Sequence, residues 1–278
     1  MANSCTAIIP FSDIEKIEVY INKPRKSLSA IKKATGADYI FNGTLYNMLT
    51  GAAVCHLKAD GKIIANPNYT VWGFAWNNPS DFSLDILPNS STASSFSKAN
   101  YIACTNLITN GSPLAKPCND PARQGKRGCT AVGVRENELV LYCSKDKTTA
   151  AKTPVQLRDH MMDLGCVSAI MLDGGGSSQC DFVGETVTST RKVPHLILVY
   201  LKNAKCPYDE PLKLVKSGSR GDDAKWVQWH LNKHGASLTV DGIFGTKSVA
   251  ALKEFQRNWG LDVDGLCGSA SRAALKKF

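Results

Sequence analysis

The sequence predicts an α+β protein: a large domain built mostly on antiparallel sheet, followed by a small C-terminal domain of three helices. Three observations predict it. Short apolar runs in the first two hundred residues are broken by Asp60-Gly61 and Glu136-Asn137, residue pairs suited to tight hairpin turns. Helical signals there are few and well capped. The C-terminal stretch contains an internal duplication in which a turn leads each time into an Ala/Leu-rich helix.

Taken in order, residues 16–21 read as a strand, and residues 26–35 as a helix closed by Gly36. Residues 38–41 form a strand that ends at Asn42-Gly43. A hairpin is expected over 54–65 with Asp60-Gly61 at its tip, and another over 130–143 across Glu136-Asn137. Thr153, Pro154 and Gln156 supply an N-cap, a proline at the first helical position and a capping-box partner, so a helix runs from there to Gly165. It feeds a strand at 167–172. Further strands are read at 179–183 and 193–201, with Gly184-Glu185 in the turn that follows the first of them.

The densest chemical signal is the run Ile170-Met171-Leu172-Asp173-Gly174-Gly175-Gly176-Ser177-Ser178. An apolar strand delivers one acid into three glycines, whose amides can line a concavity for an oxyanion. The competing reading is a glycine turn whose Asp merely bonds its own backbone.

The chain has 278 residues, 43% of them hydrophobic, enough to bury a full core and to divide into two domains. The boundary is placed near Cys206, in a segment with Pro207 and Pro211, giving domains at 1–206 and 207–278. No apolar run reaches the roughly 18 residues of a membrane span, and the start, Met1-Ala2-Asn3-Ser4-Cys5, lacks a secretory pattern. Synthesis in the cytoplasm without a signal peptide is therefore the expectation. The ten cysteines contain no C-x-x-C pair and no zinc spacing, so free thiols are expected, with Cys55, Cys104, Cys143 and Cys166 acting as small hydrophobes. No metal or other cofactor is expected.

The net charge of +9 is uneven: residues 212–278 hold eleven Lys/Arg against six Asp/Glu, or +5, in a quarter of the chain. Such a tail suits an anionic polymer. The duplication aligns Val240-Asp241-Gly242-Ile243-Phe244-Gly245 on Val263-Asp264-Gly265-Leu266-Cys267-Gly268 without gaps, with Thr246 and Ser269 as expected N-caps. Ahead of it, residues 222–234 read as a helix ended by Gly235, burying Trp226, Val227, His230 and Leu231. This stretch, from about residue 212 to 278, resembles the peptidoglycan-binding domain type 1 family. The resemblance implies a helical module that grips cell-wall glycan or stem peptide, with Trp229, Asp241 and Asp264 as its candidate contact residues. Trp229 either stacks on a sugar ring or packs at the edge of the core; Asp241 and Asp264 also read as turn formers, and Phe255 and Trp259 as core.

The large domain resembles the phosphodiester glycosidase family over roughly residues 31–201. The landmarks are Asn42-Gly43-Thr44-Leu45, Asp60-Gly61-Lys62, Asn110-Gly111, Thr130-Ala131-Val132-Gly133, Asp163-Leu164-Gly165-Cys166 and Leu172-Asp173-Gly174-Gly175-Gly176-Ser177-Ser178. Thr44 and Leu45 stand where the family has Gly-Phe, and Cys129 where it has arginine; Arg127, two residues earlier, is either the replacement or an ordinary surface residue. The resemblance implies cleavage of a sugar-1-phosphate diester. Loss of a phosphate monoester needs less acid help than loss of an alcohol, so one carboxylate can suffice.

On that reading Asp173 acts at the anomeric centre as base or nucleophile, and Asn42 orients substrate hydroxyls. Ser177 is a further catalytic candidate, more as phosphate ligand than nucleophile. The amides of Gly174, Gly175 and Gly176, with Ser178, Thr130, Arg127 and Arg191, bind phosphate. His195 reads as a core histidine, and Asp120, Asp181 and Glu185 as candidates for a second carboxylate. The expected partner is peptidoglycan or a wall-linked anionic glycopolymer, with no nucleic acid and no membrane insertion, as in an endolysin. Two alternatives stay open: hydrolysis of the peptidoglycan glycan itself, and wall binding without catalysis. The oligomeric state is not encoded in any motif.

Overall fold

The computed structural model describes residues 3–67, 71–77, 81–87, 97–183, 185–202, 206–236 and 238–277. The chain divides into two compact units, Met1–Lys202 and Asn203–Phe278. Three residues of the linker segment, 203–205, lie outside the described residues, as does Gly184.

In the first unit β1 (Ser4–Pro10) and β2 (Ile14–Ile21) flank a short 3-10 turn, and α1 (Leu28–Thr35) precedes β3 (Tyr39–Asn42). The hairpin β4 (Leu57–Ala59) and β5 (Lys62–Ala65) is followed by β6 (Val71–Trp76), β7 (Ser83–Leu87) and β8 (Asn100–Ala103). Next come β9 (Thr105–Thr109), β10 (Ser112–Pro113), β11 (Cys129–Arg135), β12 (Glu138–Ser144), α2 (Pro154–Asp163) and β13 (Ser168–Met171). The unit closes with β14 (Cys180–Phe182), β15 (Glu185–Val187) and β16 (His195–Leu201). These strands make three sheets, ordered β1-β12-β11-β13-β9-β10, β15-β14-β3-β16-β2 and β5-β4-β8-β6-β7. Every ladder is antiparallel.

The expected turn chemistry is present. Asp60 and Gly61 both have positive φ, 46° and 76°, the requirement of a two-residue hairpin whose twist matches its strands. Glu136, at φ 44°, plays the first of these parts between β11 and β12. Thr153 and Gln156 form the reciprocal capping box of α2, and Gly165 turns the chain at φ 83°. Glu185 lies in a strand rather than a turn: β15 pairs with β14 and adds an edge that the sequence pattern does not announce.

The largest apolar core joins all three sheets, through residues such as Ile17, Phe41, Trp76, Ile102, Leu141 and Ile197. Two smaller cores seat the helices. Leu157 and Met161 of α2 pack on Ala131 and Ala169 of the first sheet, and Ile31 of α1 on Ile40, Leu196 and Leu198 of the second. The ends of β3 and β13, from different sheets, thereby meet: the Asp173 amide donates to the Gly43 carbonyl at 3.1 Å. All ten cysteines are free, and Cys55, Cys104, Cys143 and Cys166 are buried among apolar neighbours.

The second unit contains α3 (Asp222–Lys233), α4 (Thr246–Asn258) and α5 (Ser269–Leu275) around one core that includes Trp226, Phe244, Leu252, Phe255 and Leu275. Each repeat is built on the same buried glutamine. The Gln228 amide nitrogen donates to Asp241 Oδ1 (2.8 Å), the Ile243 carbonyl (3.1 Å) and Ser248 Oγ (3.1 Å), while its oxygen accepts from the Gly242 amide (3.0 Å). Gln256 repeats this with Asp264 (2.8 Å), Leu266 (3.1 Å), Ser271 (3.2 Å) and Gly265 (2.9 Å). Asp241 and Asp264 are thus turn anchors: each Oδ1 also accepts the amide two residues on, at 2.8 Å. These bonds hold both carboxyls below the usual carboxylate range.

Two expectations are corrected here. The N-caps are Gly245 and Gly268, because Thr246 and Ser269 are already the first helical residues and their hydroxyls cap nothing. Trp259 is 40% exposed, stacked on Phe255 at 5.5 Å rather than enclosed. Trp229 is half-buried, with the Lys233 ammonium 5.2 Å from its ring centre. Replacing Gln256 with leucine strands the buried Gly265 amide and takes the glutamine donor from Asp264 and Leu266, the Leu266 carbonyl keeping the Ser271 hydroxyl. A loss of about 2–3 kcal/mol is expected, read as a lower midpoint for the second unit in urea denaturation followed by tryptophan fluorescence.

Candidate active site

Leu172 and Asp173 leave the centre of the first sheet, where β13 is paired on both sides, so the acid's backbone is fixed by its neighbours. Asn42, the last residue of β3, does most of that fixing. It is fully buried, and its oxygen accepts from Thr130 Oγ1 (2.6 Å) and the Gln179 amide (3.1 Å). Its nitrogen donates to the Asp173 carbonyl (2.8 Å) and the Gly43 carbonyl (3.3 Å). With no polar atom left for a ligand, Asn42 does not orient substrate hydroxyls. Thr130, equally buried, spends its hydroxyl on Asn42 and does not contact phosphate.

The glycine turn also differs from an open anion cradle. The Gly174 amide donates to Asp173 Oδ1 (3.0 Å), Gly175 to the Gly128 carbonyl (2.8 Å), Ser177 to Gly174 (3.3 Å) and Ser178 to Gly175 (3.0 Å). Four of the five amides are consumed within the fold. Glycine is needed here for close packing: a Cβ on Gly174 would lie 2.9 Å from both the Gly128 carbonyl oxygen and Met171 Cε. Gly175 has φ 62°, and a Cβ on Gly176 would press on the Arg191 guanidinium at 3.2 Å. Ser177 is fully buried and its Oγ accepts from Arg191 Nη1 at 2.9 Å, so it positions the arginine instead of meeting substrate. Ser178 is buried too, its hydroxyl without a partner among the described residues.

What faces solvent is a cleft of about 230 Å³. Asp173 and Gly174 lie on its wall beside three arginines, Arg123, Arg127 and Arg191. Leu45, Tyr46 and Met48 form part of the apolar wall. A second void, about 10 Å³ and wholly apolar, is a packing gap in the main core. Arg127 lies just ahead of β11, its Nη2 donating to the Ala122 carbonyl at 2.8 Å, while Cys129 is turned into the core under α2. Arg123 escapes the sequence reading, although the basic cluster Arg123, Lys126, Arg127 marks its segment.

Burial raises the Asp173 carboxyl above the usual carboxylate range, against the opposing pull of the Ser177 hydroxyl, the Gly174 amide and the charges of Arg191 and Arg123. Of the other carboxylates considered, Asp120 caps a 3-10 turn and pairs with Arg123 at 3.2 Å, Asp181 pairs with Lys32 at 2.6 Å, and Glu185 sits on the edge strand β15. Among the described residues Asp173 is the carboxylate on the cleft wall. His195 is buried behind it against Gly43 and Tyr46, and burial pushes its imidazole down to about 4, as for a core histidine. No group of three or more His, Cys, Asp or Glu among the described residues is placed to hold a metal ion.

Residues 20–200 match the family described as phosphodiester glycosidase. The chain belongs to that family. Residues 220–275 match a peptidoglycan binding domain family. The catalytic domain of zebrafish N-acetylglucosamine-1-phosphodiester α-N-acetylglucosaminidase, auto-inhibited by its pro-peptide, is 17% identical with a TM-score of 0.55, over 72% of this chain and 84% of that one. A hypothetical protein from Synechocystis is 13% identical with a TM-score of 0.59, over 72% of this chain and 59% of that one. An endolysin of Burkholderia phage AP3 is 34% identical over 23% of this chain and 25% of that one, with a TM-score of 0.23. A comparison with curated proteins found no match. A phosphodiester glycosidase domain joined to a peptidoglycan-binding domain describes a cell-wall-associated hydrolase or binding protein.

Because the folded state holds the Asp173 proton more tightly than the unfolded chain, ionising this residue costs stability. That cost begins as pH rises past the unfolded value of 3.8 and is complete above the raised folded value. Asp173→Asn removes it while still accepting the Gly174 amide. The variant is expected to melt above the wild type at pH 7 and to converge with it at pH 3, as measured by calorimetry.

Proposed function

We propose that the protein is a wall-targeted glycosidase that hydrolyses a sugar-1-phosphate diester of the bacterial envelope at the Asp173 cleft. The observation that carries this reading is one partly desolvated carboxylate sharing a 230 Å³ cleft with three arginines. A planar guanidinium can bond two phosphate oxygens at once, and three of them against Asp173 and the Asp120 carboxylate paired with Arg123 leave the cleft cationic before substrate enters.

In the proposed reaction the arginines bind the phosphodiester and Asp173 faces the anomeric carbon. Asp173 accepts a proton from water, whose oxygen bonds to that carbon as the C–O bond to phosphate breaks. The bonding electrons leave on the phosphate monoester, whose charge the arginines stabilise. A raised carboxyl is a better base near neutral pH than an ordinary aspartate. A double displacement would need a nucleophile and then a base; with one carboxylate on the wall, direct attack by water and inversion at the anomeric carbon fit best. Asn42, Thr130 and Ser177 are positioning residues in this scheme. The C-terminal unit holds the enzyme on peptidoglycan, its action follows release to the wall, and its role is endolysin-like.

Purified walls and a sugar-1-phosphate diester incubated with wild type and Asp173→Ala should give phosphate monoester ends and a free sugar only with wild type, a loss of at least a thousandfold by mass spectrometry. NMR of the nascent sugar should show the inverted anomer. Equal product from both proteins would remove Asp173 from the mechanism, and new reducing ends in phosphate-free glycan would reassign the substrate. Deleting residues 207–278 should abolish pelleting with walls and spare hydrolysis of the small diester.

A further inference from the structure

The cleft has one wall that phosphate chemistry does not use. Leu45, Tyr46 and Met48 line it, and the loop they begin continues outward to Leu49 and Val54. Met48 is 59% exposed, Leu49 96% and Val54 43%. Single exposed apolar residues are ordinary, but three on one loop beside a polar cleft are not a solvated surface pattern.

The backbone of the loop is held by hydrogen bonds of its own. Asn47 Oδ1 accepts the amides of Leu49 (2.9 Å) and Thr50 (3.1 Å), and the Asn47 carbonyl accepts that of Gly51 (2.7 Å). The Val54 amide closes the loop on the Leu45 carbonyl at 2.8 Å. Tyr46 is clamped between the Arg25 guanidinium, 5.6 Å from its ring, and the His195 ring, edge-on at 6.0 Å. Gly51, at φ 77°, leaves room for the Arg25 guanidinium where a Cβ would collide. Met48 and Leu49 are therefore held out into water by a fixed backbone.

We propose that this loop receives an apolar chain carried on the far side of the substrate's phosphate, so that the substrate class is a glycosyl phosphodiester of a lipid-like alcohol. The inference rests on the phosphodiester reading of the cleft. Chemical complementarity supports it: in one cleft the arginines take an anion and the Leu45, Tyr46 and Met48 wall takes hydrocarbon, and a phosphate ester of an apolar alcohol presents both.

The test uses the full chain and the methyl and octyl esters of α-N-acetylglucosamine-1-phosphate. Binding is measured by calorimetry with Asp173→Asn, and hydrolysis with the active protein. The octyl ester should bind at least about tenfold more tightly than the methyl ester, since its seven additional CH₂ groups are only partly covered. Adding Leu49→Ser should reduce that preference severalfold and leave turnover of the methyl ester unchanged. Equal binding of the two esters, or a preference that Leu49→Ser and Met48→Ser both leave intact, would overturn the assignment. Leu49-dependent binding to phosphatidylcholine vesicles without an octyl preference would make the loop a membrane contact and likewise overturn it. Hydrolysis of neither ester, with the octyl preference in binding retained, would instead sink the phosphodiester reaction and leave the apolar subsite standing.

Discussion

The candidate site depends on the buried side chain of Asn42. Two sheets of the first unit end side by side there, and the amide spans them: it accepts from Thr130 of β11 and from the Gln179 backbone, and donates to the carbonyls of Asp173 and Gly43. An amide is suited to this because it offers donors and acceptors at one place without charge. Aspartate would lose the donors and bury an anion, and leucine would leave the Gln179 amide and the Asp173 carbonyl without these partners in a medium where each stranded group costs about 1–3 kcal/mol. A network filled at every lone pair specifies one arrangement of its members. Its product is a fixed backbone at Asp173, and hence a fixed direction for the carboxylate.

Electrostatics at that carboxylate is a contest between desolvation and nearby positive charge, and desolvation wins in the free protein. The balance matters for the proposed reaction. An anionic phosphodiester on the arginines would offset the charges that favour ionised Asp173 and add a negative charge beside it. Both changes push the carboxyl further upward, so substrate binding itself would strengthen the base. The cationic wall then has two parts to play, holding the leaving phosphate and tuning the group that activates water.

The second unit shows how a duplicated sequence reuses one buried polar device. In both copies a core glutamine satisfies a glycine amide, a carbonyl, an N-terminal helix hydroxyl and the turn aspartate. The Asp-Gly pairs shared by the copies are thus explained by architecture. The intervening residues Ile243 and Leu266 are exposed at equivalent places, where no such constraint acts.

Much of the fold was legible because local chemistry and tertiary structure agree. The Asp60-Gly61 hairpin, the boxed start of α2 and the glycine stops of α1 to α3 were all readable. The strands β6 to β8 were less so, since Val71-Trp72-Gly73-Phe74-Ala75-Trp76 is a continuous apolar run without alternation. The site was legible in place and not in detail. Residue type marks Asn42, Thr130 and Ser177 as polar, but only the packed structure shows that their polar atoms are already spent. The glycines are the clearest case. Their spacing reads equally as an amide cradle and as a tight turn, and steric contact decides between them: Gly174 packs on the Gly128 carbonyl and Gly176 on the Arg191 guanidinium. The missing side chains let a cation lie flat against the turn, so the positive character read from three glycines resides in the arginine beside them.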